Sequence, residues 1–264
     1  KHQQLVQQFW HSPTIAKQVG LKAVDLFEAV ESGKIKAIWI MATNPVVSLP
    51  NADQVKRALE NCEFVVVSDI CLDTDTTQYA DVLLPALGWG EKDGTVTNSE
   101  RRISRQRAFL DIPEQAQADW WSVSQVAKKL GFQGFDFESS HDIFKEHAQL
   151  SAYQNAEIAL RSSTETFRYF NLAGLTNLSF DDYQELEPTQ WPVLAPLKNG
   201  QTKPNTFAQL FKDGQFSHAD GKAKFIATTA VGAVNPISSE YPLVLNTGRI
   251  RDQWHTMTRT GLSA

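Results

Sequence analysis

The chain has 264 residues, 42% of them hydrophobic and 21% charged, a balance that suits a globular protein with at least one full core. A formal charge of -5 without a basic stripe leaves little to neutralise a phosphate backbone, which argues against nucleic acid as a partner. No apolar run approaches the roughly 20 residues of a membrane span, and residues 1–8 are polar, unlike the apolar core of a secretory signal.

In chain order, 21–31 places Ala23, Leu26, Phe27 and Val30 at helical spacing, with Gly33 where the helix stops. The run IKAIWIM (35–41) reads as a buried strand, ended by the breakers Thr43, Asn44 and Pro45. Asn51 is expected to cap a helix to about Asn61, with Val55, Ala58 and Leu59 inward. FVVV (64–67) is β-branched and continuous, as a central parallel strand requires, and runs into Ser68 and Asp69. A short stretch with helical potential (74–79) leads to a third strand, DVLL (81–84), closed by Pro85. Residues 119–130 form a helix that groups Trp120, Val123, Val126, Ala127 and Leu130 and ends at Gly131. Residues 140–150 read as a further helix, 189–205 as a loop or linker, and 222–228 and 241–247 as strands of a second, β-containing unit.

Strand and helix alternation with short connections predicts an α/β fold with a doubly wound, mostly parallel sheet. The expected division is a lead-in over 1–34, the α/β domain with an insert over 35–235, and the start of a β-barrel-like domain over 236–264. The chain opens without methionine and closes on Leu262, Ser263 and Ala264, which reads as a piece of something longer.

Ligands of open parallel sheets bind at the carboxyl ends of the strands. There the sequence sets Thr43, Asn44 and Pro45, then Ser68 and Asp69, then the loop after Pro85. Asp69 suits the acceptor of a ribose hydroxyl, and equally a turn cap. The glycine fingerprint of a nicotinamide site is absent after the first strand. The densest polar stretch, WGEKDGTVTNSERR (89–102), offers either a ligand grip or a solvated loop with salt bridges. A second cluster, TGRIRDQWHT (247–256), carries two guanidiniums and an imidazole that suit a pyrophosphate or pterin edge, or an interdomain contact. The two cysteines, Cys62 and Cys71, match neither a CxxC pair nor a cluster-binding set and read as inert thiols.

Taken together, IKAIWIMATNPVVSLPN (35–51), FVVVSD (64–69), YADVLLPALGWGEKDGTVTNSERRIS (79–104), ADWW (118–121) and LNTGRIRDQWHTMTRTG (245–261) resemble the molybdopterin oxidoreductase family of the dimethyl sulfoxide reductase class. Within it they look most like the assimilatory nitrate-reducing group. The resemblance is strong over 35–121 and near the C-terminus, and faint between about 134 and 222.

That resemblance implies molybdenum bis(molybdopterin guanine dinucleotide) as cofactor, with the α/β unit as the third domain of a longer subunit, holding the guanosine end of one dinucleotide. Asn44, Ser68, Asp69, Lys92 and Asp119 match family positions that contact it, with Asp69 favoured for ribose and Asp119 for guanine; Asp119 also fits a helix N-cap. Thr247, Gly248, Arg249, His255 and Thr256 would touch the pterin and phosphate part, while Trp254 packs. A [4Fe-4S] cluster would sit in an upstream region, and no metal ligand is identifiable in this chain. The implied reaction is nitrate to nitrite by oxygen-atom transfer. The chain alone is expected to be inactive and to bind no cofactor, with the rest of its subunit and an electron-donor protein as partners and a cytoplasmic, membrane-free setting. The rivals are a formate dehydrogenase of the same cofactor class and a noncatalytic nucleotide-binding module.

Overall fold

The structure is a computed structural model that describes residues 2–155, 168–194, 210–216, 218, 220–246 and 248. The chain divides into two compact units, Lys1–Leu210 and Phe211–Ala264.

The first unit opens with α1 (His2–Phe9) and α2 (Ala23–Glu31), which ends two residues before Gly33, where φ is +71°. β1 (Ala37–Met41) is followed by the short α3 (Pro45–Ser48) and by α4 (Ala52–Asn61). Asn51 precedes α4 in a left-handed conformation without a side-chain cap, and its amide donates to Gln54 Oε1 instead. Asn51 thus holds the N-cap position expected of it, its main-chain oxygen accepting from Gln54 N and Val55 N, but its side chain makes no cap. β2 (Phe64–Asp69) and β3 (Val82–Pro85) complete a parallel sheet in the order β1-β2-β3, and the stretch between them holds only a 3-10 turn, Thr77–Tyr79.

The fold is α/β, as expected, with a parallel three-stranded sheet among the described residues. Its strand order never reverses, and Phe27 and Val30 of α2 and Val55, Ala58 and Leu59 of α4 pack on the same core as Ile40, Val65 and Val67. Crossovers that advance in one direction keep their connections on one face; a reversal is what sends helices to the other. Each of these side chains, removed from water, contributes roughly 1.5–3 kcal/mol when it is as large as Val, Leu or Phe. β3 is left with Val82 and Leu83 partly exposed.

The polar stretch after β3 is more ordered than a solvated loop. Trp89–Glu91 makes a 3-10 turn, and β4 (Gly94–Thr97) and β5 (Arg102–Gln106) form a hairpin. α5 (Asp119–Lys129) follows and gives way to Gly131 at φ +85°. Its buried residues are Ser124 and Ala127; Val123, Val126 and Leu130, expected inward, are exposed. α6 (Ser140–Ala152) and α7 (Phe180–Gln184) come next. Thr189–Gln190, expected within a loop, is the strand β6, paired antiparallel to β5, and Val193 just beyond it is buried. This second sheet shares a core of Ile103, Phe144, Leu172, Tyr183, Leu186 and Val193.

In the second unit, the runs expected as strands (222–228 and 241–247) form no ladder among the described residues, and Phe225, Leu243 and Leu245 are exposed. An apolar run becomes a strand only when its N–H and C=O groups find a neighbour. No helix among the described residues is long and apolar enough to cross a membrane.

Candidate functional site

Parallel pairing sets the strand ends level. Met41 pairs with Ser68, Ser68 with Leu84, and Asp69 with Pro85, so the segments leaving β1, β2 and β3 emerge from one edge. The chain before α5 joins the same edge. Ala86 forms a parallel bridge with Gln117, Gln117 N donates to Pro85 O, and Ala86 N donates to Asp69 O. Asp119 therefore starts its helix beside the carboxyl end of β3.

At the end of β1, Asn44 precedes Pro45, whose fixed φ suits the first turn of α3. Its main-chain oxygen accepts from Val47 N and Ser48 N, while its side chain makes no cap. Instead, Asn44 Oδ1 accepts a 2.6 Å hydrogen bond from Thr76 Oγ1, and Thr76 in turn accepts from Val46 N at 3.3 Å. At the end of β2, the buried Ser68 Oγ accepts from Trp39 Nε1 at 2.8 Å. Asp69 Oδ1 accepts from Cys71 N at 2.9 Å, so the turn-capping role considered for it exists; its second oxygen has no partner among the described residues.

The residue N-capping α5 is Ala118, not Asp119, which occupies the first helical turn. A carboxylate there is favoured by the amide dipoles. Its Oδ2 lies 2.7 Å from Lys92 Nζ, with the two side chains 34% and 31% exposed. No hydrogen bond or ion pair joins this pair to Asn44, Ser68 or Asp69 among the described residues; what they share is the sheet edge. Gly248 is exposed in the second unit, and Thr247, Arg249, His255 and Thr256 lie outside the described residues.

Two supports of the edge escaped the sequence reading. Thr76, 1% exposed, reaches Asn44 from 32 positions away. Arg105, whose side chain is fully buried, binds Asp93 Oδ1 at 2.7 Å and lies 3.8 Å from the centre of the Tyr183 ring. It also donates to Gly94 O and Gln184 Oε1, and Asp93 accepts from Ser140 Oγ. Burial raises the Tyr183 phenol above its ordinary value. Asp93 adjoins Lys92, so this cluster fastens the Lys92 loop to the second core. No periodicity announces a buried guanidinium; only the alternating burial of β5, with Ile103 and Arg105 on one face, carries the signal, and it requires the hairpin to be known first.

Residues 4–129 match the family model for molybdopterin oxidoreductases. Over that stretch the chain is similar to the molybdopterin oxidoreductase family. It is 52% identical to a nitrate reductase of Shewanella frigidimarina across 98% of this chain and 26% of that protein. It is 31% identical to the alpha subunit of an F420-dependent formate dehydrogenase 2 of Methanococcus maripaludis, across 97% of this chain and 33% of the other. The chain thus spans about a quarter to a third of these relatives. Among solved structures, acetylene hydratase from Pelobacter acetylenicus aligns with a TM-score of 0.48 at 17% identity, over 75% of this chain and 23% of that one.

A molybdopterin oxidoreductase implies a molybdenum-pterin cofactor, and the chemistry of the edge suits the polar part of such a group. Among the described residues, Asn44 Nδ2 and the Ser68 hydroxyl proton are donors without a partner and one Asp69 oxygen is without a donor, while Lys92, paired with Asp119, supplies a cation. Polar and anionic ligand groups need that mixture.

Proposed function

We propose that this chain is the part of a molybdenum nitrate reductase catalytic subunit that grips the guanosine end of a molybdopterin guanine dinucleotide. The observation that carries the reading is the shared carboxyl edge, where the segments bearing Asn44, Ser68, Asp69, Lys92 and Asp119 emerge together and Lys92 stands 2.7 Å from Asp119. Asp69 accepts from ribose hydroxyls, and Asp119 accepts from the guanine N1 and N2 hydrogens, a pairing that adenine lacks. Lys92 then faces the phosphate side with its charge. Thr247, Gly248, Arg249, His255 and Thr256 are the further residues this proposal assigns to the pterin and phosphate portion.

When bound, the cofactor supplies the redox chemistry by which nitrate loses an oxygen and becomes nitrite. The residues of this chain bind and orient it; they perform no redox step. In the longer subunit, a [4Fe-4S] cluster held by another region would relay electrons from a donor protein, in a cytoplasmic setting; the residues of this chain take no part in that. Identity of 52% to a nitrate reductase against 31% to a formate dehydrogenase subunit supports nitrate over formate as substrate.

The test is Lys92→Ala and Asp119→Ala in the full-length subunit, with molybdenum and guanine nucleotide measured per chain. Both variants are expected to lose cofactor while keeping a thermal midpoint close to that of the cofactor-free parent. Full occupancy in both contradicts the assignment.

A further inference from the structure

Thr76 is nearly inaccessible to solvent, and its hydroxyl has two partners, Val46 N as a donor to it and Asn44 Oδ1 as an acceptor from it. The backbone N–H can only donate, so the Thr76 proton has to find an oxygen, and the oxygen within reach is that of the Asn44 amide. Turning the amide over would bring NH2 against the hydroxyl and leave a buried O–H without an acceptor, an arrangement proteins avoid. The orientation of Asn44 is therefore set from behind: Oδ1 toward Thr76, and Nδ2, with no partner among the described residues, left to donate. Ser68, one strand over, is treated alike. The Trp39 indole, which has no acceptor, fills an Oγ lone pair and leaves the Ser68 proton to donate.

We propose that Thr76 is a positioning residue that locks Asn44 as a hydrogen-bond donor at the carboxyl edge of the sheet, and that the cofactor atom meeting Asn44 is an acceptor, an oxygen or a ring nitrogen. This rests on the reading of that edge as a cofactor site. Thr76 itself touches no ligand. Its effect passes through one amide, and it explains why an Asn serves here where an Asp, which accepts only, would not.

The experiment uses the full-length holoenzyme and follows the rate at which pterin is released on dilution, read from the fluorescence of the oxidised pterin, beside the thermal midpoint. Four proteins form a cycle: the parent, Asn44→Ala, Thr76→Val, and both together. Asn44→Ala is expected to release cofactor about threefold to tenfold faster, the loss of one hydrogen bond. Thr76→Val is expected to do the same, and the double variant to be no faster than Asn44→Ala alone. Thr76→Ser, which keeps the hydroxyl, restores parental release. Asn44→Asp keeps an acceptor for Thr76 and loses the outward donor; it is expected to release cofactor at least as fast as Asn44→Ala. Additive effects in the double variant, or parental release in Asn44→Asp, overturn the proposal while leaving the edge as the site. Parental release in Asn44→Ala removes Asn44 from the site and the reading of the edge with it. If Thr76→Val fails to fold, Thr76→Ser and Asn44→Asp decide the matter by the same outcomes.

Discussion

Lys92 Nζ and Asp119 Oδ2 stand 2.7 Å apart although 27 positions separate them in the chain. The contact ties the loop after β3 to the first turn of α5. Both side chains are about one third exposed, and pairs of that kind contribute about 0–1 kcal/mol. Lys92→Ala is therefore expected to lower the free energy of unfolding by no more than about 1 kcal/mol, measured by urea titration. A much larger loss would make the pair a structural fastening rather than a ligand grip.

Arg105 is different, because its whole side chain is out of solvent and Asp93 is its ionic partner. Removing one member of a buried pair costs about 3–5 kcal/mol; with Asp93 40% exposed, the lower end applies. Arg105→Met is expected to reduce stability by about 3 kcal/mol. Arg105→Lys does not restore it, since an ammonium cannot span Asp93, Gly94 and Gln184 in one fork. Equal midpoints for Arg105→Lys and the parent in urea would refute this account of the cluster.

Asp81 holds the start of β3 to β2: its Oδ2 accepts from Val65 N at 2.7 Å, and its own N–H donates to Val65 O. Val65 is buried, so without the carboxylate its amide loses its partner away from water. Asp81→Ala is expected to cost about 1–3 kcal/mol and to speed hydrogen exchange at Val65. Unchanged exchange there would show that another group takes over.

Asp142 closes the capping box of α6, accepting from Glu138 N, Ser139 N and the Ser139 hydroxyl. Burial pushes its carboxyl upward, and these hydrogen bonds, with the nearby His141, outweigh it, leaving the pKa below the ordinary 3.8. The unfolded chain thus takes up this proton at higher pH than the folded one. The contribution is complete above 3.8 and fades as pH falls through the lowered folded value. Asp142→Asn is expected to flatten the loss of stability below about pH 4. The same slope in parent and variant would remove Asp142 from the acid transition.

Much of the parallel sheet was legible because its signals are local. FVVV at β2, the helical spacing of Phe27 and Val30, and Gly131 after α5 each announce themselves within a few residues. The β4–β5–β6 sheet was not, because its strands are polar and its one buried face, Ile103 beside Arg105, makes sense only against Tyr183 and Val193, far along the chain. α5 misled for a related reason: Val123, Val126 and Leu130 have helical spacing, yet the side that packs is the one bearing Ser124 and Ala127. At the candidate site, Asn44, Ser68 and Asp69 could be singled out from their place at strand ends, whereas Thr76 required the fold, since nothing in 74–77 hints at a partner across the turn from β1.

Amide hydrogen exchange of the full-length subunit, with and without its molybdenum cofactor, tests the central claim most directly. Slower exchange with cofactor bound is predicted at the segments around Asn44, around Asp69, from Gly88 to Lys92 and at the start of α5. Protection confined to other regions, with these four segments unchanged, would contradict it.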